Sequence, residues 1–320
     1  MRGFYRYTQD GAVIGEIENV ITTSGKLLIA RYLASLINSY AGAIAIGIDE
    51  TEATSNDSRL GYEIARVPII MRNVTGPSSD IFQISFKGVL PPQMEGFIIE
   101  SGIISQIFNK YSGVYGDRLL SRFVSGEGWN VLSSSSMQLT YENLSYDSGS
   151  GNVIRIGGEA ARITASSSAS PTLTLESTII QGDFSGYSST DQFGLAYSAK
   201  QVPSGTNIQV KFYSDSSNYF STTQVIPVNG LTGAWTYKVL KFPKSDFSVI
   251  GSPNWARIVK TQIVVSTSNI AEFVLDGFST FDTDYINPDY AIISRSVSNT
   301  PILKSSGKTM DVEYFLEFRL

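Results

Sequence analysis

Neither cysteine nor histidine occurs anywhere in the 320 residues of this chain. The first absence excludes disulfides, thiolate zinc sites and cysteine nucleophiles. The second excludes Ser-His-Asp triads, His-ligated zinc and the side chain whose ordinary pKa suits proton transfer at neutral pH. Carboxylates, Lys, Tyr and Ser are what remain for catalysis, and the expectation is that the chain is not an enzyme. An excess of positive charge is missing too: the net charge is −5, whereas a nucleic-acid binder presents a basic face. No apolar run approaches the roughly 20 residues that span a bilayer. The longest candidate, residues 41–48, carries Gly42 and Gly47, so membrane insertion is not expected. The opening Met1-Arg2-Gly3-Phe4-Tyr5-Arg6 lacks the apolar core of a signal peptide, so synthesis in a cytoplasm without general export is expected.

What is present describes a globular chain, with 42% hydrophobic and 17% charged residues. The length suggests about two domains, each able to bury a core. The texture changes twice. Residues 1–123 and 286–320 share one style, while residues 124–285 are rich in Ser, Gly, Asn and Asp between short alternating segments. This pattern predicts a discontinuous domain interrupted by an inserted one, which is cheap at a surface turn because domain termini often lie close together.

In the split domain, residues 1–20 are aromatic and weakly patterned, an arm or an early strand. Thr22-Thr23-Ser24-Gly25 offers hydroxyl caps to a helix over residues 26–38 with one broad apolar face. Residues 43–48 read as a buried strand, and 51–57 as a polar loop. After Arg66 the period becomes two, predicting strands at 67–74, 81–89, 97–104 and 118–124, with turns that include 111–116. The C-terminal alternation of Val312, Tyr314, Leu316 and Phe318 supplies a further strand. The fold class expected is mainly β: a split α+β or β-rich domain with one main helix, carrying an inserted β-sandwich. Glu63 and Arg66, read as three apart on a helical turn, form either an ordinary surface pair or a lock between loop and sheet. Glu100 is expected to act in the same way towards Arg118 or Arg122.

The order of these pieces resembles a family of small tailed-bacteriophage virion proteins. The residues that carry the likeness are Thr22-Thr23-Ser24-Gly25-Lys26, Ile46-Gly47, and the loop from Thr51 through Asp57 to Leu60. They continue with Glu63-Ile64-Ala65-Arg66, Glu100-Ser101-Gly102-Ile103 and the tail Met310-Asp311-Val312-Glu313-Tyr314-Phe315-Leu316-Glu317-Phe318. No one motif is specific; the conjunction in order, across an insertion, is. The resemblance implies a structural protein of a virion, and favours Glu63 and Arg66 as a structural lock.

The insert reads as a β-sandwich from strand candidates at 136–141, 152–156, 172–176, 192–198, 207–214, 224–228, 236–242, 256–266 and 272–278. Its landmarks resemble jelly rolls of the carbohydrate-binding-module type. They are Asp183-Phe184-Ser185-Gly186-Tyr187, Phe193-Gly194-Leu195-Ala196-Tyr197, Trp235-Thr236, Asn254-Trp255 and Val274-Leu275-Asp276-Gly277-Phe278. Trp129, Trp235 and Trp255 are sugar-stacking candidates by type, and Trp129 and Trp255 are expected to pack the core instead. Tyr187, Tyr197, Tyr213 and Tyr219 are the further aromatic candidates. Ligand binding is therefore assigned to Tyr187, Tyr213, Tyr219 and Trp235. No cofactor is expected. The resemblance alone implies a structural calcium, with Asp276 as its candidate ligand; one carboxylate falls short of the oxygens calcium needs, and a solvated turn aspartate is the alternative.

Together these readings predict a non-enzymatic virion protein in the tail or baseplate, with residues 124–285 displayed for adhesion to a host-surface glycan. Its expected partners are other virion proteins and further copies of itself. Capsid decoration is the alternative location. A polysaccharide depolymerase is the alternative activity, for which the acids Glu127, Glu142, Glu159, Glu176, Asp183 and Asp191 are the available residues.

Overall fold

In a computed structural model, residues 1–37, 40–78, 80–105, 119–143, 154–166, 170–227, 235–281 and 291–319 are described. The turn expected at 111–116 and the start of the strand expected at 152–156 lie outside them. The chain divides into two compact units, Met1–Arg118 with Asp284–Leu320, and Leu119–Thr283. The first begins with β1 (Arg2–Gln9), β2 (Ala12–Glu18), β3 (Val20–Ile21), α1 (Thr23–Leu33) and β4 (Ala43–Gly47). It continues with β5 (Glu63–Pro68), β6 (Met71–Ser78), β7 (Ile81–Leu90) and β8 (Gly96–Ile104). The second unit holds β9 (Leu119–Ser121), β10 (Trp129–Ser135), β11 (Met137–Asn143), β12 (Glu159–Ala165), β13 (Thr172–Ser177) and β14 (Gln192–Gln201). Then come β15 (Asn207–Tyr213), β16 (Tyr219–Val225), β17 (Thr236–Pro243), β18 (Ser248–Ile250), β19 (Lys260–Ser266) and β20 (Ala271–Phe281). The chain returns to the first unit with β21 (Ile292–Lys304) and β22 (Met310–Arg319). The protein is mainly β, with α1 the only α-helix among the described residues.

The first unit pairs two five-stranded antiparallel sheets, β2-β1-β22-β7-β6 and β3-β21-β8-β4-β5. The C-terminal strands are interior in both sheets, β22 between β1 and β7 and β21 between β3 and β8. Alternation turns Val312, Tyr314 and Leu316 of β22 inward, onto Ile44 and Ile46 of β4 and Ile98 and Ile103 of β8. The N-terminal arm is a hairpin closed by Asp10 and Gly11, both at positive φ. Thr22 caps α1 by accepting from the Gly25 N–H at 2.8 Å. The helix then meets β21 closely, since a Cβ on Gly25 would fall 2.1 Å from the Ile293 carbonyl oxygen.

On the outer side of the second sheet, the loop between β4 and β5 folds over Ala45, Ile104 and Ile292 through Leu60. Glu100, fully buried, accepts backbone N–H groups of that loop from Gly61 (2.9 Å), Tyr62 (2.7 Å) and Asp49 (3.2 Å). Its ionic partner is Arg295, which donates through Nε at 2.9 Å and reaches Asp57 through Nη1 at 3.0 Å. Of the partners expected for Glu100, Arg118 lies outside the described residues; the partner described is Arg295, distant in sequence, which β21 brings alongside β8 in place of Arg122. Burial pushes the Glu100 carboxyl above its usual range, against the pull of Arg295 and the Tyr62 N–H.

Glu63 and Arg66 stand on strand β5 and not on a helical turn. Three residues apart on a regular strand they would face opposite ways, but Ile46 pairs with Ala65 and Gly47 with Glu63, so Ile64 is bulged out. The bulge brings both side chains to one face, where the buried pair bonds through Nε–Oε1 and Nη2–Oε2, both 2.9 Å.

The second unit is a jelly-roll-type sandwich. Its sheets run β10-β13-β19-β15-β16-β18 and β11-β12-β20-β14-β17. The strand expected at 118–124 is shorter, Leu119–Ser121, and pairs with β20 of this unit. An aromatic cluster joins the sheets: Phe193 and Phe278 of one contact Phe212 of the other, with centroids 4.6 and 6.3 Å away.

Candidate functional site

The aromatic core decides which sequence candidates can meet a ligand. Tyr187 cannot: it is buried against Phe184 and Phe193, and its hydroxyl bonds Thr280 Oγ1 at 3.0 Å. The phrase Asp183-Phe184-Ser185-Gly186-Tyr187 is a turn, in which Asp183 accepts from the Ser185 N–H and Phe184 drops into the core. Tyr197 is buried and inward as well. Trp255 starts a short 3-10 turn (Trp255–Arg257), not the strand its spacing suggests, and stacks on Phe220 at 3.9 Å. Trp129 packs on Phe123 and donates to Ser121 Oγ at 2.8 Å.

Tyr213 and Tyr219 are brought together. They sit directly opposite each other on β15 and β16, ring centroids 4.7 Å apart. Phe212 and Phe220 point into the core, so alternation turns Tyr213 and Tyr219 to the outer face of the six-stranded sheet. The same rule places Lys211, Lys260, Gln262 and Glu176 beside them, since Lys211 pairs with Gln262, Tyr213 with Lys260, and Gln262 with Glu176. A polar ladder runs across three strands: Tyr213 Oη donates to Gln262 Oε1 (3.1 Å), and Gln262 Nε2 and Lys260 Nζ both donate to Glu176 Oε2 (2.8 Å). The bonds from Lys260 and Gln262 hold the Glu176 carboxyl below its ordinary value. Lys260 Nζ lies 4.9 Å from the Tyr213 ring centroid and Lys211 Nζ 5.4 Å from that of Tyr219. Tyr213 is only 9% exposed, so Tyr219 is the ring a ligand can reach and Tyr213 its backing. Lys211, Lys260 and Gln262 escaped the sequence reading, and Glu176 entered it only as a depolymerase acid, because their significance here rests on cross-strand register.

Trp235 lies elsewhere, on the outer side of the other sheet. It packs on Ile154, Ala160 and Val274, with the Arg162 guanidinium 5.8 Å from its ring. Arg162 is itself held by Glu142 at 3.1 Å and by Glu272.

Asp276 shares that side of the sheet but not the role expected of it. It is the extra residue of a bulge in β20, between Leu275 opposite Tyr197 and Gly277 opposite Ala196, and it is fully buried. Its oxygens accept from the Arg155 N–H (2.7 Å), the Ile156 N–H (3.1 Å) and the Tyr237 hydroxyl (2.6 Å). Three hydrogen-bond donors aim their positive ends where a cation would sit, and among the described residues no group of three or more acidic side chains is arranged to hold a metal ion. This donor set does not fit calcium. Nor is Asp276 a solvated turn residue: burial pushes its carboxyl up to about 7, against the bonds from Tyr237 and the two amides.

No protein-family model matches the chain, and no curated protein does. Among solved structures, the chain is similar to the family 11 carbohydrate-binding module of a cellulosomal cellulase of Clostridium thermocellum. The identity is 12%, the match covers 52% of this chain and 95% of that one, and the TM-score is 0.36. It is also similar to the enzymatically active domain of tailspike protein 4 of bacteriophage CBA120, at 13% identity over 55% of this chain and 21% of that one, TM-score 0.32. A third similar structure is TmCBM61 in complex with β-1,4-galactotriose, at 13% identity over 52% of this chain and 99% of that one, TM-score 0.28.

Proposed function

We propose that this chain is a non-enzymatic structural protein of a tailed-phage virion, anchored through its first unit, whose second unit binds a host-surface glycan at the Tyr219 face. The observation that carries the sugar reading is the ladder around Tyr213 and Tyr219. A stacked aromatic pair offers a face for the C–H side of a pyranose, and the adjoining Lys211, Lys260, Gln262 and Glu176 supply donors and acceptors for its hydroxyls. Many copies on one particle would turn a weak contact into firm adhesion. The virion reading is supported by the ordered motifs from Thr22 to Phe318, and we favour the tail over the head.

A binding role in place of hydrolysis is supported by the state of the acids a depolymerase would need. Glu127 accepts from Ser121 Oγ and the Arg122 N–H, Glu142 holds Arg162, and Glu159 accepts from the Ser125 N–H. Glu176 is bound by Lys260 and Gln262, while Asp183 and Asp191 cap turns through the N–H groups of Ser185 and Ser188. Each of these six is committed to a structural partner.

Glycan-array binding by the full chain, followed by titration of the best ligand into wild type and Tyr219→Ala, tests the sugar reading. Wild-type binding that weakens by about tenfold, or about 1.4 kcal/mol, is expected. Wild-type silence on every glycan, or equal affinity of the two proteins, refutes it. Immunogold labelling of particles tests the anchor: label at the tail is expected, label over the head moves the protein to the capsid, and unlabelled particles refute a virion role.

A further inference from the structure

We propose that the glycan bound at the Tyr219 face is an acidic one, a pyranose bearing a carboxylate, sulfate or phosphate that pairs with Lys211 while the ring lies on Tyr219. This preference rests on the sugar reading of that face and names the class of sugar it selects. The six strands of the sheet β10-β13-β19-β15-β16-β18 hold three charged residues, Glu176, Lys260 and Lys211. All three lie on the outer side with Tyr219.

Two of these charges cancel. Lys260 Nζ lies 2.8 Å from Glu176 Oε2, and the same oxygen accepts from Gln262. Lys211 is left over. Its neighbours in register are Gln262 on one side and Ser221 on the other, both uncharged, and among the described residues no carboxylate pairs with its ammonium. The group beside that ammonium is the Tyr219 ring, whose centroid is 5.4 Å from Nζ. The face therefore carries one uncompensated positive charge, in a chain whose net charge is −5. That charge stands next to the ring a sugar can reach, whereas Glu176 is three strand spacings from Tyr219, roughly 14 Å. Asp215, in the turn from β15 to β16, is already engaged: it accepts from the N–H groups of Ser217 and Asn218 and from Asn218 Nδ2.

An ammonium has three hydrogens to donate, and an anion on the stacked sugar is its best acceptor. A charge-assisted bond is shorter and about twice as strong as one to a neutral hydroxyl, and the half-buried setting of Lys211 weakens its screening by salt. Lysine is a compact point charge without the planar fork of arginine. The feature it recognises is the negative charge that uronates, sulfated sugars and phosphorylated sugars share. The outer side of the other sheet lacks such a charge, since Arg162 beside Trp235 is taken up by Glu142 and Glu272. A second meeting of rings and a cation occurs in the first unit, where Arg72 joins Tyr32, Tyr40 and Phe86 around a cavity of about 720 Å³. There Arg72 donates to the Ala41 carbonyl at 2.7 Å, and it provides a control.

An array of glycans carrying a uronate, a sialate, a sulfate or a phosphate, each beside its neutral parent, tests the preference on the full chain. Acidic members should bind about tenfold tighter than their parents at low salt, and the gap should close as salt rises. Lys211→Gln should erase the gap by weakening the acidic member far more than the parent. Lys211→Arg should keep it, and Arg72→Gln should leave it as in wild type. Equal binding of acidic and neutral members by wild type overturns the acid preference and leaves the sugar reading standing. A gap that survives Lys211→Gln overturns it too, and so does one lost in Arg72→Gln, which would place the anion in the cavity beside Tyr40. Silence on every glycan removes the sugar reading, and the preference with it.

Discussion

Replacing Asp276 by Asn should remove most of the pH dependence of stability between pH 5 and pH 8. The carboxyl is fully buried, with a pKa raised from its ordinary 3.8 to about 7. A raised folded-state pKa means that the folded chain holds the proton more tightly than the unfolded chain. Stability from this group is therefore complete below about pH 4 and is lost as pH rises through about 7. The whole difference is worth about 4 kcal/mol, of which about 2–3 kcal/mol is lost between pH 5 and pH 8. For a unit the size of Leu119–Thr283 that corresponds to a fall in melting temperature of about 5–10 °C. With no histidine and no cysteine in the chain, few other groups titrate in this window. Asn keeps an acceptor for the Arg155 and Ile156 N–H groups and lets the Tyr237 hydroxyl reverse, so the bulge is retained without an ionisable group. Calorimetry of the full chain at pH 5, 6, 7 and 8 should give a sloping series for wild type and a flatter one for Asp276→Asn. Equal slopes for the two proteins, or a wild type that gains stability with rising pH, would refute the assignment of a neutral buried carboxyl. Chelation should leave both series in place, because the oxygens are already taken by hydrogen-bond donors.

Three further outcomes follow from the first unit and the sugar face. Arg295→Met strands Glu100 in the core and should cost about 3–5 kcal/mol in denaturant unfolding; Arg295→Lys should not restore it, because one ammonium cannot reproduce the fork to Glu100 and Asp57, and a loss under about 1 kcal/mol for Met would contradict the buried pair. Gly25→Ala drives a methyl into the Ile293 carbonyl and should cost about 1–3 kcal/mol, whereas an unchanged melting temperature would mean that α1 does not press on β21 as described. Tyr219→Phe keeps the stacking face and should bind sugar nearly as well as wild type, while Tyr219→Ala should not; equal losses in both would point to the hydroxyl and not the ring.

The strands that sequence made legible were those with inward apolar alternation. β22, with Val312, Tyr314 and Leu316, and β15, with Ile208, Val210 and Phe212, show it plainly. β10 did not: six of its seven residues, ending in Ser133-Ser134-Ser135, are exposed on an edge, so there is no buried face to leave a pattern. β12 hides behind Ala160 and Ala161, small residues that fill a crowded face without a strand signature. α1 was visible from its cap and apolar spacing, but the helix ends at Leu33, and Leu33 and Leu36 are exposed. The Glu63–Arg66 pair was visible as a pair, while its setting on a bulged strand depended on register with β4. At the sugar face, residue type singled out Tyr213 and Tyr219, and only the pairing of β13, β19, β15 and β16 joined Glu176, Gln262 and Lys260 to them. Tyr187 and Asp276 show the converse. Their local phrases suited a ligand site, and tertiary burial gave the one to the aromatic core and the other to a backbone clamp.

The most direct test of the sugar-binding account is a crystal structure of the full chain with the glycan that binds it best. A pyranose ring lying on Tyr219, with its hydroxyls bonded to Lys211, Lys260, Gln262 or Glu176, is the predicted result. A sugar seated on Trp235, or in the cavity beside Tyr40, with the Tyr219 face bare, would contradict it.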